Sequence, residues 1–304
     1  MKRNRKDMPQ AKVGAAPSGL QWDLTPRALD TWIPDLKAAD SESPQTISVL
    51  EAIGYDPWTG GGVTLKRIDA ALRSIGETSD VKVNINSPGG DLFEGIAIYN
   101  RLREHKGNVQ VAVLGLAASA ASIIAMAGDE IQIAKSGFFM IHNTWVVAMG
   151  NRNDLRSAAD MLEPFDAAMA DVYGMRTGIN DEKIRKMMDA ETWINGSAAV
   201  DQGFADSFLP ADAVSSDANA RSDRIAAYLL DTALAKAGMP RSSRRELMKE
   251  YRNGALQTSA PDAAGALQSP GAQPQNGTRG ATGGAVQQAV ESQELLAALR
   301  SFQL

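Results

Sequence analysis

Apolar residues recur along this chain first at strand spacing and then at helix spacing, and the two periods alternate. Ile47-Ser48-Val49-Leu50 reads as a strand. A glycine-rich link, Thr59-Gly60-Gly61-Gly62, separates it from Leu65, Ile68, Leu72 and Ile75, which recur at helical spacing. Val81-Lys82-Val83-Asn84-Ile85-Asn86 alternates apolar and polar, as a strand does, until Ser87-Pro88-Gly89-Gly90 breaks it. Phe93, Ile96, Ala97, Tyr99 and Leu102 trace the next helix. Val109 to Leu114 predicts a strand and Ala117 to Ala127 a helix. Ile131-Gln132-Ile133-Ala134 and Phe138-Phe139-Met140-Ile141 are further short strands. Alternation of this kind predicts an α/β unit with parallel strand pairing.

Beyond it, Asn153 to Arg176 reads as one long helix, with Leu155, Ala159, Leu162, Phe165, Met169, Val172 and Tyr173 as its apolar stripe. Gly178 ends that helix, and Asn180 caps a short one through Met188, with Asp181 and Glu182 in its first turn. Thr192-Trp193-Ile194, a helix around Ala198 to Gln202, Gly203 and Phe208-Leu209-Pro210 close the ordered unit, which spans 47–210. Residues 1–46 form a polar extension in which Trp22 and Trp32 are expected to dock on the core. Residues 211–253 read as a helical extension, with a helix over Arg221 to Ala237 and a capping box at Ser243 and Glu246. Residues 254–284 are Gly, Ala, Pro, Gln and Thr with few large apolar groups, too few to order themselves. An amphipathic helix, Val286 to Phe302, is expected within 285–304.

Bulk composition narrows the classes. A chain of 304 residues holds one sizeable core plus appendages, and a net charge of −5 gives no support for nucleic-acid binding. The absence of cysteine removes disulfides, thiolate metal sites and a cysteine nucleophile together, and fits a cytoplasmic protein. No metal or other cofactor is expected. The basic start, Met1-Lys2-Arg3-Asn4-Arg5-Lys6, is not followed by an apolar stretch, so it reads as a solvated tail and not as a secretory signal. Val111 to Gly128 carries no charge, but it is dense in Ala, Ser and Gly and breaks at Gly115. A buried strand and a buried helix explain it better than a membrane span.

Candidate chemistry lies in the same region. Ser119 sits in Gly115-Leu116-Ala117-Ala118-Ser119-Ala120-Ala121-Ser122, upstream of His142 in Met140-Ile141-His142. A serine hydroxyl needs a base to take its proton, and His142 is the credible one of only two histidines. The other, His105, is expected at an exposed helix end. A serine on the first turn of a helix has free amides and a partial positive end beside it, so the Ala120 amide is placed to point at an oxyanion. The Pro88-Gly89-Gly90 turn offers a second donor, because glycine permits close backbone approach. Taken singly, Ser119 also fits a small core residue, His142 a hydrogen-bonded core histidine and the glycine turn an ordinary loop. Ser122 is the nearest competing nucleophile. The joint order of the motifs carries the reading.

Asn86-Ser87-Pro88-Gly89-Gly90, Gly115-Leu116-Ala117-Ala118-Ser119 and Met140-Ile141-His142 resemble the proteolytic subunit of Clp protease in order and spacing. So does the segment from Thr192-Trp193-Ile194 to Gly203-Phe204-Ala205-Asp206. The resemblance covers roughly residues 47 to 210. It implies a crotonase-like α/β fold of stacked ββα units. It also implies Ser119 as nucleophile, His142 as general base, the amides of Gly90 and Ala120 as oxyanion hole, and a homo-oligomeric ring with the 153–176 helix between or beside subunits.

The family carries an Asp just before the closing strand, where this chain has Glu191 in Met188-Asp189-Ala190-Glu191-Thr192-Trp193. Either Glu191 or Asp189 offers a carboxylate to orient the imidazole, with Glu191 preferred. That wording and the long low-complexity tail look like the Clp-related head maturation proteases of tailed bacteriophages. In that group the substrates are scaffold and capsid proteins in the assembling procapsid. Three alternatives remain: a host-type Clp subunit fed by an ATPase, a crotonase-type acyl-CoA enzyme, and a non-catalytic shell protein on the same fold.

Overall fold

The computed structural model describes residues 5–11, 21–22, 24–34, 36–38, 45–54, 56, 61–210, 214–216 and 221–252. The chain divides into two units, Met1–Lys249 and Glu250–Leu304. The first holds the sheet and every candidate site residue. The expected linker over 254–284 and terminal helix over 285–304 lie outside the described residues.

The elements follow the alternation of periods. In chain order they begin with β1 (Gln21–Trp22), α1 (Pro26–Thr31), β2 (Leu36–Ala38), β3 (Thr46–Val49), α2 (Leu65–Ile75), β4 (Val81–Ser87) and α3 (Leu92–Glu104). Then come β5 (Val109–Ala118), α4 (Ala120–Ala125), β6 (Glu130–Ile133), β7 (Phe138–Ile141), β8 (Val146–Val147) and α5 (Arg152–Thr177). The order closes with α6 (Asp181–Asp189), β9 (Thr192–Asn195), α7 (Gly196–Asp201), β10 (Ser207–Phe208), β11 (Val214–Ser216), α8 (Arg221–Lys236) and α9 (Arg241–Arg252).

A seven-stranded sheet runs β10-β6-β5-β4-β3, with parallel neighbours throughout. β5 is long enough to serve twice. On one side β4 follows it to Ala117; on the other its first half pairs with β6, and Leu116 to Ala118 pair with β7, which turns antiparallel to β9. The mixed α/β architecture with a parallel sheet agrees with the Clp type of fold expected from the motifs. Val83, Ile85, Val111, Val113, Ile131 and Ile133 fill one side of the sheet under α3 and α4, completely buried.

Local signals set the helix ends. Asp91 accepts from the amides of Phe93 and Glu94 at the start of α3 (2.9 and 3.2 Å). α5 opens on a capping box between Asn151 and Asp154 and ends at Gly178 in a left-handed conformation (φ +78°).

Several expectations need correction. β5 continues through Gly115 to Ala118, and α4 starts only at Ala120, because β7 offers the strand a partner as far as Ala118. Lys82 alone of the polar residues of β4 stays partly open, whereas Asn84 and Asn86 are buried. Asn86 lies under the N-terminal segment, where its side chain donates to Ile33 O (2.6 Å) and Trp32 Nε1 donates to its carbonyl (2.8 Å). Trp32 is docked as expected, edge-on to Tyr228 of α8. The side chain of Trp22 lies outside the described residues, although its backbone pairs with Val146. The basic start is no solvated tail at Arg5. That side chain is buried, donates to His105 O and Gly107 O (2.6 and 2.9 Å), and pairs with Asp129 (3.3 Å).

His105 is likewise buried, not exposed, with Nε2 2.7 Å from Ser79 O. The stripe of α5 buries only its C-terminal half. Phe165, Met169, Val172 and Tyr173 are in the core, while Leu155 and Ala159 are exposed, because the first turns of the helix run past the body of this chain. Ser243 does not cap a helix but lies inside α9, whose first ladder bond runs from Arg244 N to Pro240 O.

Candidate active site

Ser119 is the single residue between the end of β5 and the start of α4. It adopts φ +53° and ψ −125°, a conformation strained for a residue with a side chain. Its amide donates to Met140 O (2.9 Å), so the pairing of β5 with β7 fixes the turn against the strand that leads to His142. The result is a hydrogen bond of 2.7 Å between Ser119 Oγ and His142 Nε2. The imidazole is buried, and burial lowers its pKa from 6.5 to about 4, with the charge of Glu191 acting in the opposite direction. It is therefore neutral at ordinary pH, the state that accepts a proton.

The register of β7 with β9 explains the Glu191 effect. Ile141 lies opposite Thr192 in an antiparallel pair, so the next positions outward are His142 and Glu191. Glu191 takes φ +46°; it and Ser119 are the non-glycine residues with positive φ among those described. Its Oε1 accepts from Trp193 Nε1 at 3.2 Å and lies 4.0 Å from Arg27 Nη1, whose guanidinium stacks over the Trp193 ring. Asp189, the last residue of α6, is engaged elsewhere: Asn143 Nδ2 donates to its Oδ1 at 2.7 Å. Of the two carboxylates, Glu191 is the one whose charge bears on the imidazole.

The glycine turn reaches the same place from the next strand. Ser87 pairs with Ala117, which carries Pro88-Gly89-Gly90 alongside Ser119. Gly89 (φ +94°) passes so close that a Cβ there would meet Ser119 Cβ and Ala118 O at 2.7 Å. Around Gly90, Ile53 N donates to Gly89 O (2.8 Å) and Asp91 N to Ile53 O (2.9 Å). In such a parallel bridge the Gly90 N–H is directed away from Ile53. The Ala120 N–H, in the first turn of α4, lies outside the ladder of its own helix. Ser122 is fully buried one turn on, its hydroxyl donating to Ser119 O (2.6 Å) and paired with Tyr173 OH (2.7 Å), so it faces the interior.

Three contributors escaped the sequence reading: Tyr173, the Arg27–Trp193 stack, and Asp166 of α5. Asp166 accepts from Thr144 N (2.6 Å) and so ties α5 to the segment after His142. Burial holds the Asp166 carboxyl above its ordinary pKa. No spacing signal marks these residues, since each acts across elements distant in sequence.

Residues 69–211 match the Clp protease family model. That segment, just under half of the chain, is similar to a Clp protease domain and contains Gly90, Ser119, Ala120, His142, Asp189 and Glu191. Among curated proteins, the chain is similar to the ATP-dependent Clp protease proteolytic subunit 2 of Treponema denticola. The two are 29% identical over 134 residues, covering 43% of this chain and 67% of that protein. It is also 28% identical over 140 residues to the ATP-dependent Clp protease proteolytic subunit of Deinococcus radiodurans, covering 45% of this chain and 69% of the relative. Subunit 1 from Borreliella burgdorferi is 26% identical over 140 residues, with 45% and 72% covered. The similarity is thus to peptidases of the serine class. Among the described residues no helix is long and apolar enough to cross a membrane, and no cluster of His, Asp and Glu is arranged to hold a metal ion.

Proposed function

We propose that this chain is a serine endopeptidase in which Ser119 is the nucleophile, His142 the general base and Glu191 the third member of the triad. The observation that carries the reading is the 2.7 Å contact of Ser119 Oγ with a buried, neutral His142 Nε2. As Oγ attacks a peptide carbonyl, its proton passes to Nε2, and the Glu191 charge stabilises the imidazolium that forms. The Gly90 and Ala120 amides donate to the oxyanion. His142 then returns the proton to the leaving amine, and water repeats the sequence on the acyl-enzyme.

The substrates we assign are scaffold and capsid proteins, cleaved during phage head maturation by a homo-oligomeric ring of this chain. The wording around Glu191 and the long C-terminal segment support that assignment. Exposed Met149, Leu155 and Met161, at and just before the projecting end of α5, support a contact between copies. A second reading, a subunit fed by an ATPase, is favoured by the names of the similar Clp subunits. Labelling with a fluorophosphonate probe tests the first step: the full chain should label, and Ser119→Ala should not. Labelling that survives in Ser119→Ala and is lost in Ser122→Ala overturns the nucleophile. Cleavage of purified scaffold protein without nucleotide separates the two biological readings. A strict requirement for an ATPase and ATP decides for the second.

A further inference from the structure

The hydroxyl of Ser122 carries one proton, and a carbonyl only accepts. Ser122 therefore spends that proton on Ser119 O, 2.6 Å away, and the 2.7 Å contact with Tyr173 is a hydrogen bond donated by the phenol. Both side chains are buried, at 0% and 1% exposure, and burial holds the Tyr173 hydroxyl far above its ordinary pKa, so it stays a donor. A relay thus runs from α5 through Ser122 to the carbonyl of Ser119. The same carbonyl accepts from Ser122 N (2.9 Å) and more weakly from Ile123 N (3.4 Å), the opening bonds of a helix only six residues long.

The Ser119 carbonyl and the Ala120 N–H belong to one planar trans peptide and point in opposite directions. Whatever fixes the carbonyl inward fixes the N–H outward. Ser119 holds its strained backbone angles just where that peptide plane is set.

We propose that Tyr173, acting through Ser122, is a positioning residue that aims the Ala120 N–H at the oxyanion. This rests on the reading of Ser119 as nucleophile and Ala120 as oxyanion donor. Tyr173 touches neither substrate nor the reacting atoms; its effect is on the direction of one amide. It also makes the long helix α5 part of the catalytic geometry.

The test uses the full chain with Tyr173→Phe, Ser122→Ala and the double variant, which removes both polar groups and leaves no buried hydroxyl unpaired. The measurements are kcat and KM per titrated active site, thermal unfolding, and inhibition by a peptide boronate whose tetrahedral adduct occupies the oxyanion position. Complete loss of an oxyanion donor costs about 10²–10³ in kcat, so a misaimed donor still held by backbone bonds is expected to cost about 10-fold. KM should change by less than about twofold, because ground-state binding does not use the donor fully. Boronate affinity should fall with kcat, and the double variant should lose no more than the worse single variant. If the variants melt earlier while kcat and boronate affinity stay at the wild-type level, the residues are merely structural and the proposal fails. If Ser119→Ala continues to label, the nucleophile reading has failed and this inference with it. Loss of label in Ser119→Ala with unchanged kcat in the relay variants removes the inference alone.

Discussion

His142 titrates between two opposing influences. Burial disfavours the imidazolium, the Glu191 charge favours it, and burial wins, leaving a pKa of about 4. A base works only when neutral, so activity is lost as pH falls through this value; a lowered pKa moves the acid limb below the ordinary 6.5. We expect kcat/KM to hold its neutral value at the usual histidine midpoint and to fall only on approach to about 4. An acid limb centred on 6.5 would contradict a buried base. The same shift bears on stability. The unfolded chain binds a proton at His142 more readily than the folded one, so stability falls as pH drops from 6.5 toward about 4. Glu191→Gln removes the charge that raises the imidazole, so the acid limb should move lower still. Turnover should drop by up to about 10⁴, the scale of removing a triad carboxylate. Asp189→Asn, exposed and bonded to Asn143, should cost far less. The reverse ranking in steady-state kinetics would transfer the role to Asp189. Gly89→Ala should abolish labelling, because its Cβ would stand 2.7 Å from Ser119 Cβ at a backbone angle that alanine resists.

At the scale of elements, the site is a meeting of strand ends. β4, β5 and β7 finish at one edge of the sheet, and each delivers one functional segment there: the glycine turn, Ser119 and His142. The ends of parallel strands are where an open α/β sheet presents groups to solvent. α1 braces this edge from behind, in a cluster of Leu24, Ala28, Leu29 and Trp32 with Ala118, Met140 and Tyr228. Trp32→Phe keeps the ring system's bulk approximately but deletes the donor to Asn86 O. It should destabilise by about 1–3 kcal/mol, read by urea unfolding, since the buried carbonyl loses its partner. Asp91→Ala, which uncaps α3 next to the glycine turn, should cost about 1 kcal/mol in the same measurement. No change in the urea midpoint of either variant would show that these contacts do not hold the edge.

At the scale of the molecule, α5 has two unlike halves. Its C-terminal half carries Phe165, Met169 and Tyr173 into the core, and its N-terminal half presents Leu155 and Met161 outward, the arrangement that a second copy would cover. Met161→Glu together with Leu155→Glu should shift the sedimentation coefficient toward that of a single chain and leave the melting of that chain nearly unchanged. An unchanged oligomer would exclude this end of α5 as the contact. A chain ending at Gly254 should keep peptidase activity yet fail to enter assembling shells, if the C-terminal segment recruits the enzyme. Incorporation as efficient as that of the full chain would end that idea.

The sequence by itself determined the order of strands and helices from Ile47 to Leu209 apart from β8, because side-chain period and capping residues are local properties, whereas the two residues of β8 are a strand only through their pairing with β1. It also singled out the candidate residues that the fold brings together, since one serine, one scarce histidine and one glycine turn stood in a recognisable order. What only the tertiary structure decided is how they meet. Val109 to Ala118 remains a strand past Gly115 because β7 is there to pair with it, and no local signal reports a partner's presence. His105 and Arg5 are charged-looking residues at apparent ends that become buried because they fasten one segment to another. Which of Glu191 and Asp189, two residues apart, lies where its charge reaches His142 is set by the register of β9 against β7. The relay from Tyr173 through Ser122 joins positions 51 residues apart. Burial, register and cross-element hydrogen bonds are properties of the packed chain, and the direction of a single amide at Ala120 is set by them.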